Sequence, residues 1–174
     1  MVLGAAVVIA LVTWLVTRGD DESDKAKSAG SVQVGVPTVL SESDVRKFGR
    51  EQSTPVYWAG PLPNRRYEVT QTAAGRYFIR YLTPRADVGD AAPRFLTVGT
   101  YPGTNAYGAL RTVGKRPTAT SINTPSGALV VYDRERPTSV YFGFPKQKFQ
   151  VEVYDPRSSR ARRFVLEGRV QRLR

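Results

Sequence analysis

A chain of 174 residues has room for one domain and a short appendage. It contains no Cys and no His, which excludes thiolate nucleophiles, imidazole bases, Ser-His-Asp triads and His/Cys zinc sites. The formal net charge is +11, with Arg supplying 20 of the 26 basic residues. That balance favours anionic partners, although a Lys-to-Arg skew also follows from a GC-rich genome.

Residues 2–17 (VLGAAVVIALVTWLVT) carry no charge and no Pro. As a helix they would span roughly 24 Å, slightly less than the ~30 Å hydrocarbon core of a bilayer. Trp14 and Arg18 suit the interface. A cleavable signal peptide would want a basic leader and a small-residue site directly behind the apolar run. Neither is present after Met1, where the run is followed by charged residues 18–25. The expectation is a retained single-pass transmembrane anchor over 1–18 and a polar linker over 19–30. Arg18, Lys25 and Lys27 alone would place the rest of the chain in the cytoplasm. Single N-terminal anchors in bacteria more often display their domain outside, and the expected location is the cell membrane with an extracytoplasmic domain.

The remaining residues, 31–174, read as one β-rich globular domain. A first helix is capped at Ser41 or Ser43, places Val45 and Phe48 on one face and stops at Gly49. After it, period-two alternation marks a strand over 67–71. Ala73-Ala74-Gly75 makes a turn, and the next strand sets Tyr77, Ile79 and Tyr81 opposite Arg76 and Arg80. A strand over 95–100 precedes a second helix that opens at Thr104 or Asn105 and closes at Gly114. Strands follow over 128–132, 139–144 and 149–154. A third helix has Asp155 as cap, Pro156 at its first position, and Gly168 at its end. Val170 and Leu173 fit one last short strand. The short links between strands imply antiparallel pairing. The fold class is therefore α+β: a mainly antiparallel sheet, single or doubled into a sandwich, with two or three short helices. Residues 45–50 (VRKFGR) and 110–115 (LRTVGK) share a pattern that either a duplicated helix-plus-strands unit or coincidence at six positions would explain.

The C-terminal stretch gathers Arg157, Arg160, Arg162, Arg163, Arg169, Arg172 and Arg174. On a helix, 160 and 163 adjoin while 162 lies round the side, and such a surface attracts phosphates of lipid headgroups or envelope polymers. A solvated helix face is the plain alternative. Tyr57 and Trp58, between Pro55 and Gly60-Pro61, form either an aromatic contact for a sugar or peptide or a core plug at the end of a sheet. Tyr77, Phe78 and Tyr81 near Arg76 and Arg80 have the composition of a base-stacking surface, but the alternation sends Tyr77 and Tyr81 to the face opposite the arginines, so nucleic acid is not an expected partner. Asp87-Val88-Gly89-Asp90 is too sparse in oxygen donors for a cation and reads as a surface turn.

The motifs in 55–61 (PVYWAGP), 80–82 (RYL), 96–102 (LTVGTYP), 137–141 (PTSVY) and 151–156 (VEVYDP) resemble those of a group of uncharacterised bacterial proteins. Those proteins carry a single N-terminal anchor and one such domain, over roughly residues 40–174 here. The resemblance implies this architecture and no activity or site. The expected function is a membrane-tethered, non-catalytic module at the cell envelope that binds an anionic or protein partner and needs no cofactor or metal. Two alternatives stand beside it. One is a small membrane-bound enzyme using carboxylates or a Ser-Lys pair. The other is a cytoplasm-facing adaptor contacting anionic lipid or nucleic acid.

Overall fold

The computed structural model describes residues 31–174, so the expected anchor and linker lie outside the described residues. Thirteen elements follow in order: β1 (Thr38–Leu40), α1 (Glu42–Glu51), β2 (Tyr57–Trp58), β3 (Arg66–Gln71), β4 (Tyr77–Leu82), β5 (Thr97–Pro102), α2 (Ala106–Val113), β6 (Ala119–Asn123), β7 (Leu129–Asp133), β8 (Ser139–Gly143), β9 (Phe149–Tyr154), α3 (Ser158–Leu166) and β10 (Gln171–Arg172). Eight strands form one antiparallel sheet in the order β1-β3-β4-β5-β9-β8-β7-β6, and β10 pairs with β2 in a separate ribbon. The architecture is α+β: one eight-stranded antiparallel sheet, a two-stranded ribbon and three short helices.

Alternation decides which side chains are buried. Val69, Ile79, Val98, Val151, Val153, Val140 and Val130 line one face and are essentially inaccessible. Over this face lie α1 through Val45 and Phe48, α3 through Ala161, Phe164 and Val165, and the β2·β10 ribbon through Trp58 and Leu173. The opposite face carries a smaller cluster, where Leu110 of α2 meets Leu129 and Val131. The two helices that share the 45–50 and 110–115 pattern therefore sit on opposite sides of the sheet, so these two segments are not equivalent in their packing. A different near-symmetry exists. Pairs Val98·Val153 and Thr100·Val151 exchange under a two-fold axis between β5 and β9. That axis makes Val98-x-x-Tyr101 equivalent to Val151-x-x-Tyr154 and places β1-β3-β4-β5 against β6-β7-β8-β9.

The helix boundaries follow local chemistry, with two departures. Ser41 caps α1 by accepting the Asp44 amide at 3.2 Å. The helix runs past Gly49 to Glu51, because Gly49 serves packing and not termination: a Cβ there would fall 2.3 Å from Leu173 Cβ. Asp155 and Pro156 do not open α3, which begins at Ser158. The Asp155 carboxylate instead accepts the Arg157 amide at 2.9 Å, an Asx turn that places the helix two residues later. The end of α3 is as the sequence suggests. Gly168 at φ 67° is followed by an Arg169 amide bonded to the Phe164 carbonyl, and Gly168 itself donates to Val165.

Candidate functional site

The seven C-terminal arginines singled out in the sequence are distributed over two patches. In the first, α3 starts where Asp155 turns the chain. Arg160 reaches back to the buried Asp155 carboxylate at 3.6 Å while its guanidinium lies 5.4 Å from the Phe164 ring. Arg169 covers the same ring at 4.4 Å. These two are therefore held by a carboxylate and an aromatic face. Arg162 points elsewhere, over Tyr132 at 5.5 Å, where it borders a small hollow of about 110 Å³ with Pro137, Ser158 and Ser159. Arg157 and Arg163 are exposed.

The second patch forms where the chain returns. Arg172 opposes Tyr57 in the ribbon, and the Leu173 amide bonds to the Val56 carbonyl at 2.9 Å. Arg50 of α1 donates to the Arg174 carbonyl at 3.0 Å, which brings Arg50, Arg172 and Arg174 to one end of the domain. Burial raises the Tyr57 phenol above its ordinary value, and the positive charges of Arg172 and Arg174 offset part of that rise.

Trp58 is not part of either patch. It is 2% exposed, packs edge-on against Tyr67 at 6.0 Å, and is covered by the Arg46 guanidinium at 4.6 Å. The segment around it is pinned to the sheet by Tyr81, whose hydroxyl accepts the Ala59 amide at 2.6 Å and donates to the Gly60 carbonyl at 3.1 Å. Trp58 is thus the core plug of the two readings, and its ring is unavailable as a contact surface. Tyr57 is half-buried, its ring between Phe142 and Phe149 at 5.5 and 5.7 Å.

A further polar cluster lies on the face of the sheet away from the main core, and the sequence reading missed it. Glu152 of β9 accepts the Tyr101 hydroxyl at 2.6 Å, the Ser139 hydroxyl at 2.7 Å and the Tyr141 hydroxyl at 3.0 Å. The Tyr101 ring crosses Gly99, where a Cβ would meet its Cε2 at 2.8 Å, and stands edge-on to Phe78 at 5.6 Å. Arg76 lies over it at 5.7 Å. The 151–153 alternation marks Glu152 as pointing away from the core. The β5·β9 pairing that delivers Tyr101 joins strands distant in sequence, and no local signal reports it.

Chemically, this cluster keeps tyrosines protonated. Burial, then the neighbouring Glu152 charge and hydrogen bond, hold both Tyr101 and Tyr141 far above the ordinary phenol value of 10.0. They serve as hydrogen-bond donors, not as nucleophiles. A group whose folded-state pKa is raised contributes stability that is full below the unfolded pKa and is lost as pH climbs toward the folded one. Spectrophotometric titration at 295 nm should therefore show Tyr101 and Tyr141 silent up to pH ~12, with unfolding becoming easier above pH 10. Ionisation of all nine tyrosines in one step near pH 10, with the fold intact, would contradict the arrangement.

Compared with known proteins, the chain matches no family model, no curated protein and no solved structure.

Proposed function

We propose that this chain is a membrane-tethered, non-catalytic module at the cell envelope, its domain held outside by the apolar N-terminal run and binding an anionic partner through its C-terminal arginines. One observation carries the reading. Arg157, Arg162, Arg163 and Arg172 are exposed, and none has a carboxylate within 4.0 Å among the described residues, where the ion pairs are Arg46–Glu42, Arg80–Glu68, Arg94–Asp90 and Arg160–Asp155. Setting aside the three basic and four acidic residues of 1–30 leaves 23 against 11, a formal +12 for the domain. Uncompensated guanidiniums at that density attract phosphate-bearing surfaces and polymers. Among the described residues no helix is long and apolar enough to cross a membrane, so tethering rests on residues 2–17.

The test uses the full-length protein in nanodiscs of neutral phosphatidylcholine, with inorganic polyphosphate as the anion. Binding should weaken steadily as salt rises. Replacing Arg157, Arg162, Arg163 and Arg172 together by Gln should weaken it by about tenfold or more. Equal binding by that variant, or recovery of the intact full-length protein in the high-speed supernatant of detergent-free lysates, rejects the reading.

A further inference from the structure

The sheet ends in two very different edges. At one end β1 is three residues long, follows Pro37, and has Val34 and Gly35 folded onto Gln71 beside it. At the other end β6 runs five residues, Ala119-Thr120-Ser121-Ile122-Asn123, with no charge, no Pro and, among the described residues, no strand on its outer side. Natural sheets normally blunt such an edge, because its unpaired N–H and C=O groups are a template for another strand.

The bonding phase of β6 says which groups are free. Its ladder with β7 is closed at both ends, by the Arg134 amide on the Thr118 carbonyl and the Thr124 amide on the Ala128 carbonyl, each at 2.9 Å. Antiparallel bonding alternates, so Thr120 and Ile122 direct their backbone groups toward β7. Ser121 and Asn123 then present theirs to the open side. The same two residues line a hollow of about 360 Å³ between β6 and α2. The Ser121 hydroxyl donates to the Gly114 carbonyl at 3.1 Å and ties the end of α2 to the strand. On the helix side the hollow is bordered by Tyr107 and Arg111, four residues apart on α2, and by Lys115 in the turn that follows the helix. No acidic side chain lines it. Arg111 and Lys115 are exposed, and neither has a carboxylate partner among the described residues.

We infer that the β6 edge and the α2 groove together form a docking site for an extended acidic peptide, which adds as a ninth strand and directs alternate carboxylates at Arg111 and Lys115. Backbone pairing with Ser121 and Asn123 supplies affinity, and the two cations select the side chains that enter the groove. A second copy of this chain fits less well, since edge-to-edge pairing would bring two sets of Arg111 and Lys115 together between domains of formal charge +12. The site is separate from the C-terminal arginines and does not depend on their role.

The experiment measures fluorescence anisotropy of a labelled (Glu-Thr)5 peptide titrated with the full-length protein in neutral nanodiscs. Saturable binding is expected. Arg111→Glu with Lys115→Glu should weaken it by about tenfold or more. Ser121→Pro should do the same, because it removes an outward N–H without touching the ladder to β7. Circular dichroism of each variant reports whether the fold is kept. N-methylation of alternate peptide amides should also abolish binding, a readout that needs no protein variant. The quadruple Arg157, Arg162, Arg163 and Arg172 to Gln protein should bind the peptide normally, which separates this site from the polyphosphate surface. Equal affinity for (Lys-Thr)5, indifference to N-methylation, or indifference to the Arg111 and Lys115 reversals overturns the inference. Concentration-dependent dimerisation abolished by Ser121→Pro would assign the edge to a second copy instead, and would equally overturn it.

Discussion

Glu68→Ala should lower the thermal unfolding midpoint by about 10–15 °C, one of the two largest single-residue effects anticipated. Glu68 sits on β3, faces away from the main core, and is only 1% exposed. Its Oε1 accepts Arg80 Nη1 at 2.7 Å and its Oε2 accepts the Gly89 amide at 2.6 Å. Arg80 also donates to the Asp90 carbonyl and lies 5.2 Å from the Phe95 ring. One carboxylate thus fastens residues 83–96 across the sheet. Truncating it leaves the Arg80 guanidinium, itself 17% exposed, without a counter-charge and the Gly89 amide without an acceptor. Breaking a buried pair from one side costs about 3–5 kcal/mol, whereas replacing both members by apolar groups is often neutral. The near-symmetry of the sheet supplies the apolar solution, because Leu129 on β7 occupies the register position equivalent to Glu68 and packs on Leu110. A Glu68→Leu, Arg80→Leu double variant should therefore recover most of the loss. Calorimetry of the three proteins decides it, and a Glu68→Ala shift below about 3 °C, near 1 kcal/mol, would show that the pair does not hold the loop.

Local chemistry made much of this fold legible. The alternation in β3, β4, β7, β8 and β9, the left-handed glycines 75 and 127 in their turns, and the Ser41 cap are each decided by a few neighbouring residues. The unread elements are those whose cause is remote. β6 is polar at an open edge and shows no apolar alternation. β1 is too short to carry a period. The centre of the sheet is the β5·β9 pair, which no loop length forecasts. Gly49 looked like a stop because a helix-ending glycine and a glycine making room for Leu173 are identical in sequence.

The candidate surfaces divide the same way. The number of arginines near the C-terminus was plain, but their division between the Phe164 ring, Tyr132 and the Arg50 end of α1 depends on where the chain returns through β10. Glu68 and Glu152 both read as outward-facing strand residues. The first is sealed by the 83–96 loop, and the second gathers three hydroxyls from the two strands on either side of it. Arg111 and Lys115 entered only as members of a repeat. Their meaning comes from the strand edge beside them.

Trp58→Ala should cost about 3–5 kcal/mol, a comparable loss in unfolding midpoint, while leaving both proposed contacts intact in the molecules that fold. The indole fills the space between the sheet and the β2·β10 ribbon. It pairs in register with Gln171, meets Tyr67 edge-on and carries Arg46 on its face. Removing it leaves a cavity beneath a ribbon of only two paired residues on each side. Trp58→Phe keeps an apolar ring there and should retain much of the stability. In a Trp14→Phe background the indole emission reports Trp58 alone, and it should be blue-shifted and resistant to acrylamide. A ligand platform would give the opposite pattern: red-shifted, readily quenched emission, an unchanged midpoint on truncation, and lost binding to polyphosphate or to the acidic peptide. The two accounts of this tryptophan differ in every one of those readouts, so a single set of variants separates a residue that holds the domain together from one that touches its partner.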